Sequence, residues 1–195
     1  PVGRYSTDAE KVALGRDITN RVAALAGVTS VAISLTPPTG PAFGSMAFHV
    51  VGRPDPGENQ VLNRQVSSEY FVTLQARLFR GRYFSEADDA SSPAVAIVNR
   101  TFAQQYLGDE DPVGKQLSYD SAPNEPMEIV GIVDDIKEGP IQSATIPVLY
   151  VPFAQKPVDW FALLIRTSSA DETVLPAIAP AIHEIDRDIS VANVA

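Results

Sequence analysis

Few residues in this chain have the type and spacing to do chemistry. Segment 108–115 reads GDEDPVGK and sets Gly108 and Gly114 ahead of Lys115. A phosphate-cradling loop needs one residue fewer between its glycines and a Ser or Thr after the lysine. Here Gln116 follows, and Asp109, Glu110 and Asp111 would repel a triphosphate. The segment predicts a turn. No GxG occurs, which removes the dinucleotide fingerprint. Asp134 and Asp135 follow an apolar run, where α/β enzymes often carry catalytic carboxylates; the plainer reading is a strand-ending turn of solvated acids. The acidic groups at Glu86, Asp88 and Asp89 and at 109–111 lack the alternating spacing of a calcium loop.

His49 and His183 are the two histidines, and neither has a partner at metal-binding spacing. GxSxG is absent, so the chain offers no nucleophile elbow. With no cysteine, thiolate catalysis, disulfides and cysteine zinc sites are excluded. The residues by themselves therefore point to no catalytic residue, metal or cofactor. One further cluster stands out. Arg77, Arg80 and Arg82 interleave with Tyr70, Phe71, Phe79, Tyr83 and Phe84 in an otherwise acidic region. The aromatics read mainly as core of a small unit. The arginines read either as ion-pair partners of Glu86, Asp88 and Asp89 or as a partner contact.

These residues must be positioned by a mixed set of elements. Asp8–Ala26 has the pattern of an amphipathic helix capped by Ser6, Thr7 or Asp8 and stopped by Gly27. Val28–Leu35, Ser45–Val51, Asn59–Val66, Ala94–Val98, Met127–Val133, Ile146–Val151 and Trp160–Arg166 read as strands or extended segments. Ser67–Leu74 and Arg100–Leu107 read as short helices, the second capped by Asn99. A last helix is predicted from about Ser169 to Ile185, with Pro180 expected to kink it or move its start. Ser190–Val194 is predicted to close the chain as a strand. Ile18–Ile33 and Ala177–Val194 share the order helix, break, Val-rich strand.

At 195 residues, 45% hydrophobic and 20% charged, the chain is large enough to bury a core unaided. Net charge is −9, of which 61–151 carries −6 and 1–60 carries none. Acidic surfaces repel phosphate backbones, which argues against a nucleic-acid partner. The apolar stretches Val22–Val28 and Trp160–Ile165 are far below the ~20 residues that span a bilayer. The chain starts at Pro1 without a signal peptide, and reads as a piece of a longer protein.

Five segments occur in a telling order: VSSEYFVTL at Val66–Leu74, LFRGRYFSEADD at Leu78–Asp89, AVAIVNRTFAQQYLGDEDPVGKQL at Ala94–Leu117, EIVGIVDDIK at Glu128–Lys137 and PVLYVPFAQ at Pro147–Gln155. Together they resemble the MacB-like periplasmic core domain of ABC-transporter permeases of the MacB/FtsX type. LAGVTSVAIS upstream and IDRDISVANV downstream look like the same family's flanks. Ser68 departs from the pattern, which often has Pro there.

The resemblance implies an α+β fold. The termini, 1–58 and 152–195, would form a porter-like module of two α/β units, and 59–151 a mixed α/β second lobe, sabre-like, inserted into it. It implies an extracytoplasmic, periplasmic domain of an inner-membrane protein that performs no catalysis. Such a domain would transmit ATP-driven motion of the transmembrane helices and contact substrate or partner proteins during export. Its partners would be the transmembrane helices of its own chain, a separate cytoplasmic ATPase subunit, a periplasmic adaptor protein and a second copy in a homodimer. Pro54, Pro56, Gly57 and Gly139, the last in the loop Gly139–Thr145, are candidate hinge points. The competing readings are a free-standing periplasmic ligand-binding protein and, further off, an enzyme using Asp134 and Asp135.

Overall fold

A computed structural model of the chain describes residues 4–38, 44–54, 57, 59–137, 144–168 and 171–192. The fold is mixed α/β, in agreement with the sequence reading. Helix α1 (Asp8–Ala23) begins at a capping box in which the Glu10 amide donates to Thr7 Oγ1 and the Glu10 carboxylate accepts from the Thr7 amide. It ends before the predicted Ala26, and Gly27, with φ +88°, turns the chain into β1 (Val28–Ser34).

The remaining elements are β2 (Ser45–Val50), β3 (Gln60–Val66), α2 (Tyr70–Thr73), β4 (Leu78–Gly81), β5 (Val95–Asn99), α3 (Arg100–Phe102), β6 (Gln116–Tyr119), β7 (Met127–Val133), β8 (Val148–Pro152), β9 (Ala162–Thr167) and α4 (Asp171–His183). They build one nine-stranded sheet in the order β2-β6-β7-β5-β8-β3-β1-β9, with β4 pairing β7 off this path. The β3–β8 and β5–β7 pairs are parallel, and the others antiparallel. β5 and β8 are buried at every position. That explains the apolar runs at Val95–Val98 and Val148–Pro152, since a strand covered on both faces need not alternate.

Alternation instead decides which core each residue joins. Ala96 and Val98 of β5 and Leu149 and Val151 of β8 pack with Phe48, Phe102, Leu117 and Ile129. Val95, Ile97, Val148 and Tyr150 face the other way, toward Tyr70, Phe71, Phe84 and Val130. A third core joins Ile18 and Val22 of α1, Val31 of β1, and Val174, Ile178 and Ile182 of α4. Gly15 lets α1 lie close to the sheet, because a Cβ there would come within 2.8 Å of the Phe153 ring and 2.9 Å of Ile33.

Two local expectations change. Residues 190–192 form no strand, and 193–195 fall outside the described residues. The chain there turns back on α4: the Ile189 amide donates to the Asp186 carbonyl, and the Ile189 carbonyl lies 3.0 Å from His183 Nε2. Helix α4 starts at Asp171, close to the expected Ser169, and contains both Pro176 and Pro180. Each proline lacks an N–H donor, and their spacing of four puts both gaps on one line of the helix. The helix after Asn99 becomes a π turn over Ala103–Leu107. Strands β4 and β6 were not anticipated.

Candidate functional site

The signature residues of the five segments are mostly committed to holding the fold. Gly81, with φ +77°, pairs with Gly131 across β4 and β7. Arg82 then makes a two-pronged bond to Asp88, at 2.7 and 2.8 Å. Asp88 also accepts from the Ser85 amide at 2.8 Å, and its side chain is 6% exposed. The Arg82 guanidinium, helped by the Ser85 amide, holds the Asp88 carboxyl below the usual carboxylate range against the opposing effect of burial.

Asn99 joins three segments. Its Oδ1 accepts from the Phe102 amide (3.0 Å) and the Val148 amide (2.9 Å), and its Nδ2 donates to the Ile146 carbonyl (2.8 Å). Gln155 does similar work: Oε1 accepts from the Val95 amide at 3.1 Å, and Nε2 donates to the Asp89 and Pro93 carbonyls. Ser68 occupies the second position of the turn closed by the Tyr70 amide and the Ser67 carbonyl, where proline is favoured. The serine hydroxyl instead donates to Glu69 and Glu86.

The groups weighed for catalysis have structural partners. Asp135 accepts from the Thr101 amide at 3.0 Å, in the first turn after β5. Asp134 pairs with Arg100 at 3.4 Å. Lys115 donates to Glu110 at 2.6 Å, and Glu110 also pairs with Arg53, so the phosphate-loop lookalike is closed on itself. His49 Nδ1 lies 3.0 Å from Asp120 Oδ1. Among the described residues no group of three His, Cys, Asp or Glu side chains could hold a metal ion.

Of the three arginines, Arg82 serves Asp88, and Arg80 pairs with Asp111 at 2.7 Å. Arg77 is exposed and has no ion pair among the described residues. Tyr70, Phe71 and Phe84 are core, whereas Phe79 is 58% exposed with the Arg100 guanidinium 5.0 Å from its ring centre. Phe79, Arg80, Arg100, Gln104, Asp111 and Ile132 line an open groove of ≈ 300 Å³. A second open groove lies against Pro180, His183, Glu184 and Arg187. Both are open to solvent, without the enclosure that buries a small ligand. Pro54 and Gly57, with φ +76° at the glycine, lie in the β2–β3 connection, while Pro56 and Gly139 fall outside the described residues.

Sequence reading missed Asp186, a buried carboxylate that receives Arg4 and Tyr5 from the other end of the chain. Nothing in the local sequence IDRD marks it, because its side-chain donors lie more than 180 positions away.

The fold is that of the outward-facing regions of transport permeases. It matches the periplasmic region of MacB from Actinobacillus actinomycetemcomitans with a TM-score of 0.61, at 14% identity, over 87% of this chain and 73% of that one. It matches the extracellular domain of the noncanonic ABC-type transporter YknZ from Gram-positive bacteria with a TM-score of 0.61, at 20% identity, over 87% and 82%. In sequence, the chain is 29% identical over 121 residues to the macrolide export ATP-binding/permease protein MacB of Marinobacter nauticus, covering 62% of this chain and 17% of that protein.

The model of the MacB-like periplasmic core domain matches residues 3–183, and the chain belongs to that family. It is a periplasmic, extracytoplasmic domain of a MacB-like ABC-transporter permease and not an enzyme. Among the described residues no helix is long and apolar enough to cross a membrane.

Proposed function

We infer that this domain transmits motion between the membrane helices of its permease and the periplasm. A separate cytoplasmic ATPase subunit would supply the energy and move helices adjoining the domain, and the domain would open or close contacts outside the membrane. The family match over residues 3–183 carries this reading. The commitment of the signature residues to internal bonds supports it, since a body that passes on force has to be stiff.

Two lobes are the working division: 1–58 with 152–195 as the porter-like part, and 59–151 as the sabre-like part. The separate core of α1, β1 and α4 supports an independently packed terminal part. Pro54, Pro56, Gly57 and Gly139 are the hinge candidates. Arg77, Arg80 and Arg82 are the contact candidates for a partner such as a periplasmic adaptor or a transported substrate, and Arg77 and Arg80 are the more accessible. Two copies would form the working transporter.

The deciding experiment is to read about twenty-five residues of parent sequence on each side. Apolar stretches of bilayer length on both sides are expected. Polar tails on both sides would leave a free-standing periplasmic binding protein instead.

A further inference from the structure

The leading and trailing segments of the described chain meet on a single carboxylate. Asp186 lies just past α4, and its side chain is 2% exposed. Its Oδ1 accepts from the Arg4 guanidinium at 3.0 Å and from the Asp188 amide at 3.0 Å. Its Oδ2 accepts from the Tyr5 hydroxyl at 2.8 Å. Arg4 also reaches Asp188 at 3.4 Å. A second tie lies nearby, where Arg21 in the last turn of α1 pairs with Glu184 directly after α4.

This is unlike an ordinary surface ion pair, whose exposed partners separate at little cost. Arg4 is 59% exposed, but its acceptor is shielded from water. A shielded carboxylate that loses its donors is left with an unmet charge, so the donors are held by the cost of leaving. The Asp188 amide, the Tyr5 hydroxyl and Arg4 together keep the carboxyl below its ordinary range.

We propose that Asp186 is a clasp that fixes the leading segment of this domain to its trailing segment, so that a displacement applied at either end enters the α1–α4 unit as one movement. The proposal rests on the reading that membrane helices adjoin both ends in the parent protein. Without the clasp, a pull at the front would peel the residues before α1, and a pull at the back would load α4 alone. With it, both pulls arrive where Ile18 and Val22 interlock with Val174 and Ile178.

The chain has no cysteine, so Ser6→Cys and Ser190→Cys, both at exposed positions, give two unique spin-label sites. With the clasp intact, the distance between labels has one narrow distribution. In Asp186→Asn, and in the double variant Arg4→Gln/Tyr5→Phe, the distribution shifts outward and becomes about twofold broader. The double variant decides, because Arg4 and Tyr5 belong to none of the three cores. A folded double variant with an unchanged distribution overturns the clasp. The measurement uses the 195-residue chain alone, so its outcome is independent of what the flanking sequence shows.

Discussion

Gly81 and Gly131 stand opposite each other in the β4–β7 ladder, and neither has room for a Cβ. A Cβ on Gly81 would lie 2.2 Å from the Val130 carbonyl oxygen, and one on Gly131 would lie 2.2 Å from the Arg82 carbonyl oxygen. Both obstacles are backbone, so no side chain can swing aside. Gly81→Ala and Gly131→Ala should each cost about 2–3 kcal/mol, read as a lowered denaturant midpoint. The double variant should fall short of the sum, because one displacement of β4 relieves both clashes.

The amide of Asn99 bonds the start of α3 and both Val148 and Ile146 at the head of β8. Asn99→Ala leaves the Phe102 and Val148 amides and the Ile146 carbonyl without this partner in a buried region. A loss of about 2–3 kcal/mol is expected in chemical denaturation. A loss under about 0.5 kcal/mol, the range of ordinary surface changes, would mean that water replaces the amide.

The three arginines should separate by stability. Arg82→Ala strands the shielded Asp88 carboxylate and should cost about 1–2 kcal/mol, a figure reduced because the guanidinium itself is half-exposed. Arg77→Ala and Arg80→Ala should stay within about 0.5 kcal/mol of the parent. Thermal unfolding of the three variants reads this directly. Equal losses for all three would remove Arg77 and Arg80 as accessible contact residues.

Asp88 should also shape the acid limb of stability. Its carboxyl titrates below its ordinary value of 3.8 in the folded chain, owing first to Arg82. A depressed carboxylate contributes stability above its unfolded-state value and loses it as pH falls through the folded value. The contribution is therefore full near neutrality, begins to fall as pH nears 3.8, and is gone below the folded value. Asp88→Asn should unfold more easily at neutral pH and show a flatter decline in acid. Glu110, lowered by Lys115 and Arg53, and Asp186 add to the slope that remains.

Much of this architecture can be read in the sequence wherever burial dictates composition. Met127–Val133 matches β7 at both ends because the strand is buried at every position but Glu128, and burial there demands apolar side chains or glycine. Asn99 was legible as a helix cap, but its bonds to Val148 and Ile146 were not, since they cross nearly fifty positions. β4 was missed because LFRG is mostly exposed and owes its strand form to pairing with β7. The predicted strand at Ser190–Val194 rested on Val-rich composition, whereas the turn at Asp186 and the His183–Ile189 contact hold 190–192 out of the sheet. For the site, motif order carried the family, while the division of Arg77, Arg80 and Arg82 into committed and accessible side chains depended on where Asp88 and Asp111 lie in space.

The core shared by α1, β1, β9 and α4 is made from the first and last parts of the chain, and this sets a schedule for biosynthesis. Ile18, Val22 and Val31 leave the ribosome long before Val174, Ile178 and Ile182 have been translated. Through most of synthesis the nascent polypeptide carries an uncovered apolar face, which chaperones or an early-forming middle region must shield from aggregation. Premature termination after β8 would therefore release a product whose sheet is largely complete but whose front helix has nothing to close against.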